Sequence, residues 1–262
     1  LDNDRLAAAA QMNVRIFSAM QKGPRGKQED CLLLGGKIIQ EDAFESESEF
    51  EAEALLLAAC DGLGGHDAGD RASHFVCREL QEKGLDLPAK SPTKNIPVLL
   101  REIQESSRRH LPNNCGTTLA GLLVAGRSVC AFNAGDSRIY KIDGSQAHYI
   151  SHDHSVVQGL LDNFLILQET AHNHPYRNLI EFGIGPLFVD SWESHSVYVH
   201  AEDYHPPISF LLCSDGLSDQ MTPGEIHRHL GPDPVKNGRA LLSAVCSKGL
   251  VDNTSFIVVE LN

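Results

Sequence analysis

Apolar runs of strand length, separated by short polar turns, pattern most of this chain. VRIFSAM, DCLLLGGKII and ALLLAACD come first and predict strands. Between the second and third lies QEDAFESESEFEAEA, Gln40 to Ala54, whose dense negative charge predicts a solvated acidic loop; a surface for a basic partner is the other reading. Helical spacing follows in DRASHFVCRELQEKG, with Ala72, Phe75, Val76 and Leu80 on one face. NIPVLLREIQESSRRHL repeats it less regularly with Val98, Leu99, Ile103 and Leu111, and the Pro-rich KGLDLPAKSPTKN joins the two. TTLAGLLVAGRSVCAFNAGDSRIYKIDGSQAHYIS then predicts a meander of strands turning at AGRS, AGDS and DGSQ. Residues 152–185 have the least regular pattern. SHSVYVHA, ISFLLCSDG and TSFIVVEL predict further strands, and TPGEIHRHLG and VKNGRALLSAVCSKG predict helices. Thr222, Pro223 and Glu225 have the spacing of an N-cap, a first-turn proline and a capping-box acid. Strands in runs with helices in pairs between them indicate an α+β fold, not the strict alternation of a parallel sheet. Without internal repeats or a linker, the expectation is a tail over residues 1–13 and one domain over 14–262, with a small irregular region around 152–185.

Composition narrows the partners. A chain of 262 residues is ample for a sizeable core. Its formal net charge of −13 argues against nucleic acid, which needs a basic footprint. No stretch is long and apolar enough to span a membrane. LAAAAQM near the start is too short, and lacks the basic flank, for a signal peptide. The seven cysteines are scattered, with no Cys-x-x-Cys pair, which fits reduced thiols in a cytoplasm.

The candidate chemistry lies where strands end. In LLLAACDGLGGHDAGDRAS an apolar run closes on Asp61, followed by Gly62, Gly64 and Gly65. Asp136 in CAFNAGDSR and Asp215 in LLCSDGLSD stand just after apolar runs in the same way. Asp252 in LVDNTSFIVV, and Glu29 with Asp30 in RGKQEDCLLL, stand just before them. One such aspartate is ordinary turn chemistry. Five such sites exceed what turns need, although five separate turns remain the alternative. Gathered together they would suit magnesium or manganese, which take oxygen ligands and keep several waters; without a cation they would repel one another. Zinc is the weaker reading. Of 13 histidines, three pairs are spaced His-x-His: His152/His154, His172/His174 and His227/His229. The last falls on a predicted helix, where i and i+2 do not share a face. No cysteine is followed six positions later by arginine, GPRGKQ is not a P-loop, and there is no Gly-x-Ser-x-Gly elbow.

Taken in order, these segments resemble the metal-dependent serine/threonine protein phosphatases, the type 2C or PPM family, and in particular its short bacterial members. RGKQED resembles the family's Arg-x-x-Asn-Glu-Asp, and DGLGGHDAGDRAS its Asp-Gly-x-Gly-Gly-His turn. CGTTLAGLLV and NAGDSRIY resemble its central strands, SHDHSVVQ its Thr-x-Asp-His-Ser, and HNHPYRN its His-Pro-x-x-Asn stretch. LLCSDGLSDQMT and VDNTSFIVV resemble its closing motifs. The resemblance implies a four-layer sandwich: two antiparallel β-sheets flanked by helices on both outer faces. It implies two to three magnesium or manganese ions. Asp61 would bridge two of them and the Gly62 carbonyl would ligate one. Asp215 and Asp252 would complete the first site, Glu29 and Asp30 would hold waters at the second, and Asp136 with Asp215 would form a weaker third. Arg25 would grip the substrate phosphate with its forked donors.

The implied reaction is attack by a metal-bridged hydroxide on phosphoserine or phosphothreonine in proteins, in one displacement with no phosphoenzyme. Arg25, Asp61 and Asp215 would carry the catalysis. Implied partners are phosphoproteins made by a bacterial serine/threonine kinase, met by a cytoplasmic monomer bound to neither membrane nor nucleic acid. Two alternatives are a pseudophosphatase that only binds phosphoproteins, which should have lost ligands (none is missing here), and a hydrolase of small phosphoesters. The chain departs from the family at Gln28, where asparagine is usual. It departs again at Leu63, where some members carry histidine, and at LIEFGIG in place of Leu-Thr-Arg-Ala-Leu-Gly.

Overall fold

The computed structural model describes residues 11–64, 68–86, 92–143, 146–171, 173–231 and 233–262. Its strands, in chain order, are β1 (Met12–Gln21), β2 (Cys31–Leu34), β3 (Lys37–Ile39), β4 (Ala43–Ala52), β5 (Ala54–Cys60), β6 (Gly62–Gly64), β7 (Cys115–Thr117), β8 (Leu119–Ala125), β9 (Ser128–Ala134), β10 (Arg138–Asp143), β11 (Gln146–Tyr149), β12 (Tyr198–Asp203), β13 (Ile208–Cys213) and β14 (Thr254–Leu261). The α-helices are α1 (Gly69–Lys83), α2 (Pro92–His110), α3 (Val156–Asp162), α4 (Gln168–Ala171), α5 (Asp215–Ser218), α6 (Pro223–His229) and α7 (Pro234–Lys248). One six-stranded sheet is ordered β11-β10-β13-β14-β1-β4, the other β12-β9-β8-β5-β2-β3, and β6 and β7 form a separate ribbon. Their pairings are antiparallel.

Three apolar layers hold the sheets and helices together. Ile16, Met20, Leu57, Leu122, Phe210 and Ile257 fill the space between the sheets. Leu33, Leu56, Phe75, Leu80 and Ile103 join the second sheet to α1 and α2. Phe17, Leu211, Leu241, Val245 and Phe256 join the first sheet to α6 and α7. Alternate residues of one strand therefore enter different layers: Ile16 faces the sheet–sheet core and Phe17 the helix layer. That is why ALLLAAC reads as a continuous apolar run although its sheet is antiparallel: both faces are covered. The fold is the expected α+β sandwich of two antiparallel sheets with helices outside.

Several sequence expectations change. The acidic stretch is not a loop: Ala43–Ala52 is β4, an edge strand paired with β1 over its whole length. Its glutamates alternate with Phe44, Ser46, Ser48 and Phe50, so the period of two puts the charges on one face, where Arg239 of α7 pairs with Glu45 and Glu47. A charged comb on an edge also deters pairing with other chains. DCLLLGGKII is not one strand but the hairpin β2–β3, turning at Gly35. On α2, Leu99 and Ile103 are buried as expected, but Val98 is 60% exposed; Ile96 and Leu100 fill the apolar face instead. The capping box of α6 forms as expected: Glu225 N–H donates to the Thr222 hydroxyl (3.3 Å), and Thr222 N–H donates to the Glu225 carboxylate (2.8 Å). The expected tail falls mostly outside the described residues; Met12 and Asn13 belong to β1. No described helix is long and apolar enough to cross a membrane.

Candidate active site

Antiparallel registers bring the strand-end carboxylates to one end of the sandwich. In the second sheet Cys31 of β2 pairs with Cys60 of β5, so Asp30, entering β2, lies beside Asp61, leaving β5. In the first sheet Cys213 of β13 pairs with Phe256 of β14, so Asp215 and Asp252 flank the same end. Asp136 follows β9 there as well. The sheets are joined at this point by a hydrogen bond from the Ser214 hydroxyl to Asp30 Oδ2 (2.9 Å).

The backbone around each carboxylate is fixed by hydroxyl and amide side chains. Asp61 N–H donates to Thr118 Oγ1 (3.1 Å), and Asp61 O accepts from Thr118 N–H (2.9 Å) and from the Thr117 hydroxyl (2.8 Å). Asn253 accepts from Glu29 N–H (2.7 Å) and donates to the carbonyls of Lys22 (2.8 Å) and Lys27 (3.0 Å), tying the Arg25 loop to the start of β14. Gly62 passes so close to the carbonyls of Gly69 and Glu29 that any Cβ would strike them. Gly216 is pressed in the same way against the Asn253 carbonyl. Gln28 accepts from Asp30 N–H (3.1 Å) and donates to the Glu41 carbonyl (3.3 Å), which gives this departure from the family pattern a bridging role between the loop and the approach to β4. Ser214, Asn253 and Thr118 were not singled out by sequence reasoning. Each lies inside a quoted motif, next to a candidate carboxylate or at a strand start, which is the signal that could have found them.

Electrostatically this end is strained. Asp30 is fully buried and its Oδ1 has no hydrogen-bond partner; Asp136 Oδ1 is also buried without one. Burial, then neighbouring carboxylates, push Asp30 up to about 7 and Asp215 to about 6, while Asp61 and Asp136 are raised well above the usual range. Asp215 and Asp30 are among the neighbours that raise Asp61. Glu29 is raised by burial and by Asp70, and accepts from Gly69 N–H. At the mouth the half-exposed Arg25 guanidinium pairs with Asp252. Asp215, Asp153 and Asp219 are among the neighbours that raise Asp136. Among the described residues no three acidic, histidine or cysteine side chains converge into a compact metal cage. A widely set, all-oxygen group with orphaned carboxylate oxygens fits a hard cation that keeps much of its water.

A cleft of about 430 Å³ leads from this end, lined in part by Asp136, Arg138, Tyr149, Asp153, Arg177 and Asp215. Arg138 forks onto Asp153 through Nε (3.1 Å) and Nη2 (2.7 Å), and the Tyr149 hydroxyl donates to the same carboxylate (2.5 Å). The unusual LIEFGIG stretch is anchored in the interior: Phe182 and Ile184 are fully buried, Gly185 N–H donates to Gln104 Oε1 (2.6 Å), and Trp192 Nε1–H donates to the Gly183 carbonyl (2.9 Å). Leu63 packs against apolar neighbours. The histidine pairs have other partners: His154 Nε2 lies 2.9 Å from the Ser196 carbonyl, His152 Nε2 3.1 Å from Asp162, and His227 Nδ1 accepts from Ala147 N–H (3.2 Å). His172 lies outside the described residues.

Beneath the carboxylates sits a thiol group of three. Cys31 and Cys60 are paired strand residues, and Cys77 of α1 places its sulfur 3.6 Å from that of Cys60; all three are buried and free.

Comparison with known proteins gives this geometry a setting. A model described as "Protein phosphatase 2C" matches residues 35–236. The serine/threonine phosphatase Stp of Listeria welshimeri is 30% identical over 223 residues, 79% of this chain and 84% of that protein. The serine/threonine protein phosphatase PstP of Mycobacterium tuberculosis is 30% identical over 224 residues, 82% of this chain; the chain spans only 42% of PstP's length. The crystal structure of Stp1 from Staphylococcus aureus superposes with a TM-score of 0.80 at 26% identity, covering 100% of both chains.

Proposed function

Given that this chain belongs to the protein phosphatase 2C family, we propose that its carboxylate end is a metal-dependent centre that hydrolyses phosphoserine and phosphothreonine in proteins. The observation that carries the reading is the pair of buried, unpartnered carboxylate oxygens on Asp30 and Asp136, within a group of aspartates that raise one another's pKa values. Such a group is stable in its ionised form only around cations.

Two or three magnesium or manganese ions would be held here. Asp61 would serve two sites and the Gly62 carbonyl one of them, with Asp215 and Asp252 on one side and Glu29 and Asp30 holding waters on the other. Asp136 and Asp215 would form the third. Bound there, the metal supplies activation of the attacking water and neutralises phosphoryl charge. Arg25 binds the phosphoryl oxygens at the mouth, leaving its apo partner Asp252 free for the cation. Asn253 and Thr118 hold the loops that carry Glu29 and Asp61. Leu63 has no proton to give, so the leaving oxygen would take its proton from water or from another group. Substrates are phosphoproteins made by a bacterial serine/threonine kinase. The enzyme works as a monomer, and its free thiols fit a reducing compartment. The test is turnover of p-nitrophenyl phosphate and of a phosphothreonine peptide after exhaustive chelation, then after manganese is restored. Full activity in chelator would overturn the reading.

A further inference from the structure

A second, basic cleft opens beside the carboxylate end, in a chain whose formal net charge is −13. It has a volume of about 350 Å³, and its lining includes Gln40, Asp70, Arg71, His74, Arg78 and His110. Arg71, His74 and Arg78 stand at i, i+3 and i+7 along α1, which puts them on one helix face. Phe75 gives that face its apolar footing: the His110 ring stacks on it with centroids 5.8 Å apart, and the Arg78 guanidinium carbon lies 5.4 Å from its centroid. His110 Nδ1 is 2.8 Å from the Ser106 carbonyl, so that nitrogen carries the hydrogen.

The positive groups here are poorly neutralised. Arg71 forms no ion pair among the described residues, and Arg78 only reaches Glu82 at 4.0 Å. Asp70, the carboxylate that lines the cleft, is already engaged: its Oδ1 accepts Arg71 N–H (2.9 Å) and its Oδ2 faces Lys27 Nζ at 3.8 Å. The cleft shares a wall with the centre. Gln40 Nε2 donates to the carbonyls of Asp30 (3.3 Å) and Asp70 (3.0 Å), so one side chain borders the cleft and holds the strand that bears Asp30.

We propose that this cleft binds a second phosphoryl group of the substrate, two to several residues from the one being hydrolysed. The inference rests on the phosphatase reading above. Guanidinium forks match phosphate oxygens, and an anion here meets two arginines and two histidines against one committed carboxylate. The enzyme would then favour multiply phosphorylated segments, chiefly through binding and not through the chemical step.

The experiment compares one threonine peptide in singly and doubly phosphorylated forms, with p-nitrophenyl phosphate as a substrate that cannot reach both places. The wild type should favour the doubly phosphorylated peptide by roughly tenfold in kcat/KM, carried by KM, which is the factor that about 1.4 kcal/mol represents. Arg71→Ala combined with Arg78→Ala should cut that preference to about twofold or less, lysine at both positions should restore part of it, and p-nitrophenyl phosphate turnover should not change. A wild type that does not distinguish the peptides, or a double variant that keeps the preference, overturns the inference. Should the wild type hydrolyse neither peptide nor p-nitrophenyl phosphate, the phosphatase reading itself fails. Binding of a fluorescein-labelled, doubly phosphorylated peptide then decides the cleft separately: weakened in the double variant it stands, unchanged it falls.

Discussion

Asp61 lies partly buried near Asp215 and Asp30, and its carboxyl is raised well above its usual range because desolvation and those two neighbours all disfavour the charge. Asp61→Asn removes one of the repelling charges while its backbone bonds to Thr117 and Thr118 remain. The metal-free melting temperature of that variant should hold or rise, the manganese-induced shift should shrink, and turnover should be lost. Melting curves with and without manganese check this; a full manganese shift with wild-type turnover would place the centre elsewhere. Arg25→Ala should raise KM for a phosphopeptide more than it lowers kcat, because the guanidinium meets phosphate in ground and transition states alike; the expected cost is about 1.5–3 kcal/mol. An unchanged KM rejects that role. At this scale the sequence showed the carboxylates because each interrupts an apolar run. It hid what positions them, since Asn253 reaches Glu29 across 224 positions and Ser214 reaches Asp30 across 184. Such bonds exist only after both sheets have formed.

Elements were legible where one face repeats. The α1 stripe of Ala72, Phe75, Val76 and Leu80 is buried as its spacing implies. β4 was misread because charge outweighed period: Phe44 and Phe50 alternating with glutamates carried a strand signal that the acidic composition masked. Close packing of α7 could not be read at all. Gly238 lies where any Cβ would press into the Phe17 ring. Gly238→Val should therefore destabilise by about 1–3 kcal/mol, read by chemical denaturation, without altering the metal-induced shift. The segment carrying Phe182 makes a different prediction. His154 packs 4.9 Å from the Phe182 ring, near the rings of His152 and His195, and burial lowers its pKa below the ordinary 6.5. The folded state thus prefers the neutral ring. Stability from this group is complete above 6.5 and is lost as pH falls through 6.5 toward the depressed folded value. Amide protection at Phe182 and Ile184 should weaken over that interval, and the ring should titrate below 6.5 by NMR; a ring titrating at or above that value would refute the account.

Across the whole molecule, the four layers place the carboxylates at the seam of two sheets, each with its own helix layer. A cation bound there stabilises the folded chain by RT ln(1 + [L]/Kd), about 2.7 kcal/mol at a hundredfold excess over Kd. Architecture was readable from strands in runs and helices in pairs. Which strand ends would meet was not, because it follows from pairing order, in which β14 lies between β13 and β1. The three thiols under this seam turn that arrangement into a clock. Cys246 is exposed, while Cys31, Cys60 and Cys77, like Cys115, Cys130 and Cys213, are buried; the first three have raised pKa values, so a disulfide-forming dye should reach them only when the end of the sandwich comes apart. Cys246 should label at once, and Cys31, Cys60 and Cys77, followed individually by peptide mapping apart from Cys115, Cys130 and Cys213, should label at the frequency of that excursion. Manganese should lengthen their half-time by the factor 1 + [L]/Kd, giving a measure of opening at the carboxylate end that needs no substrate.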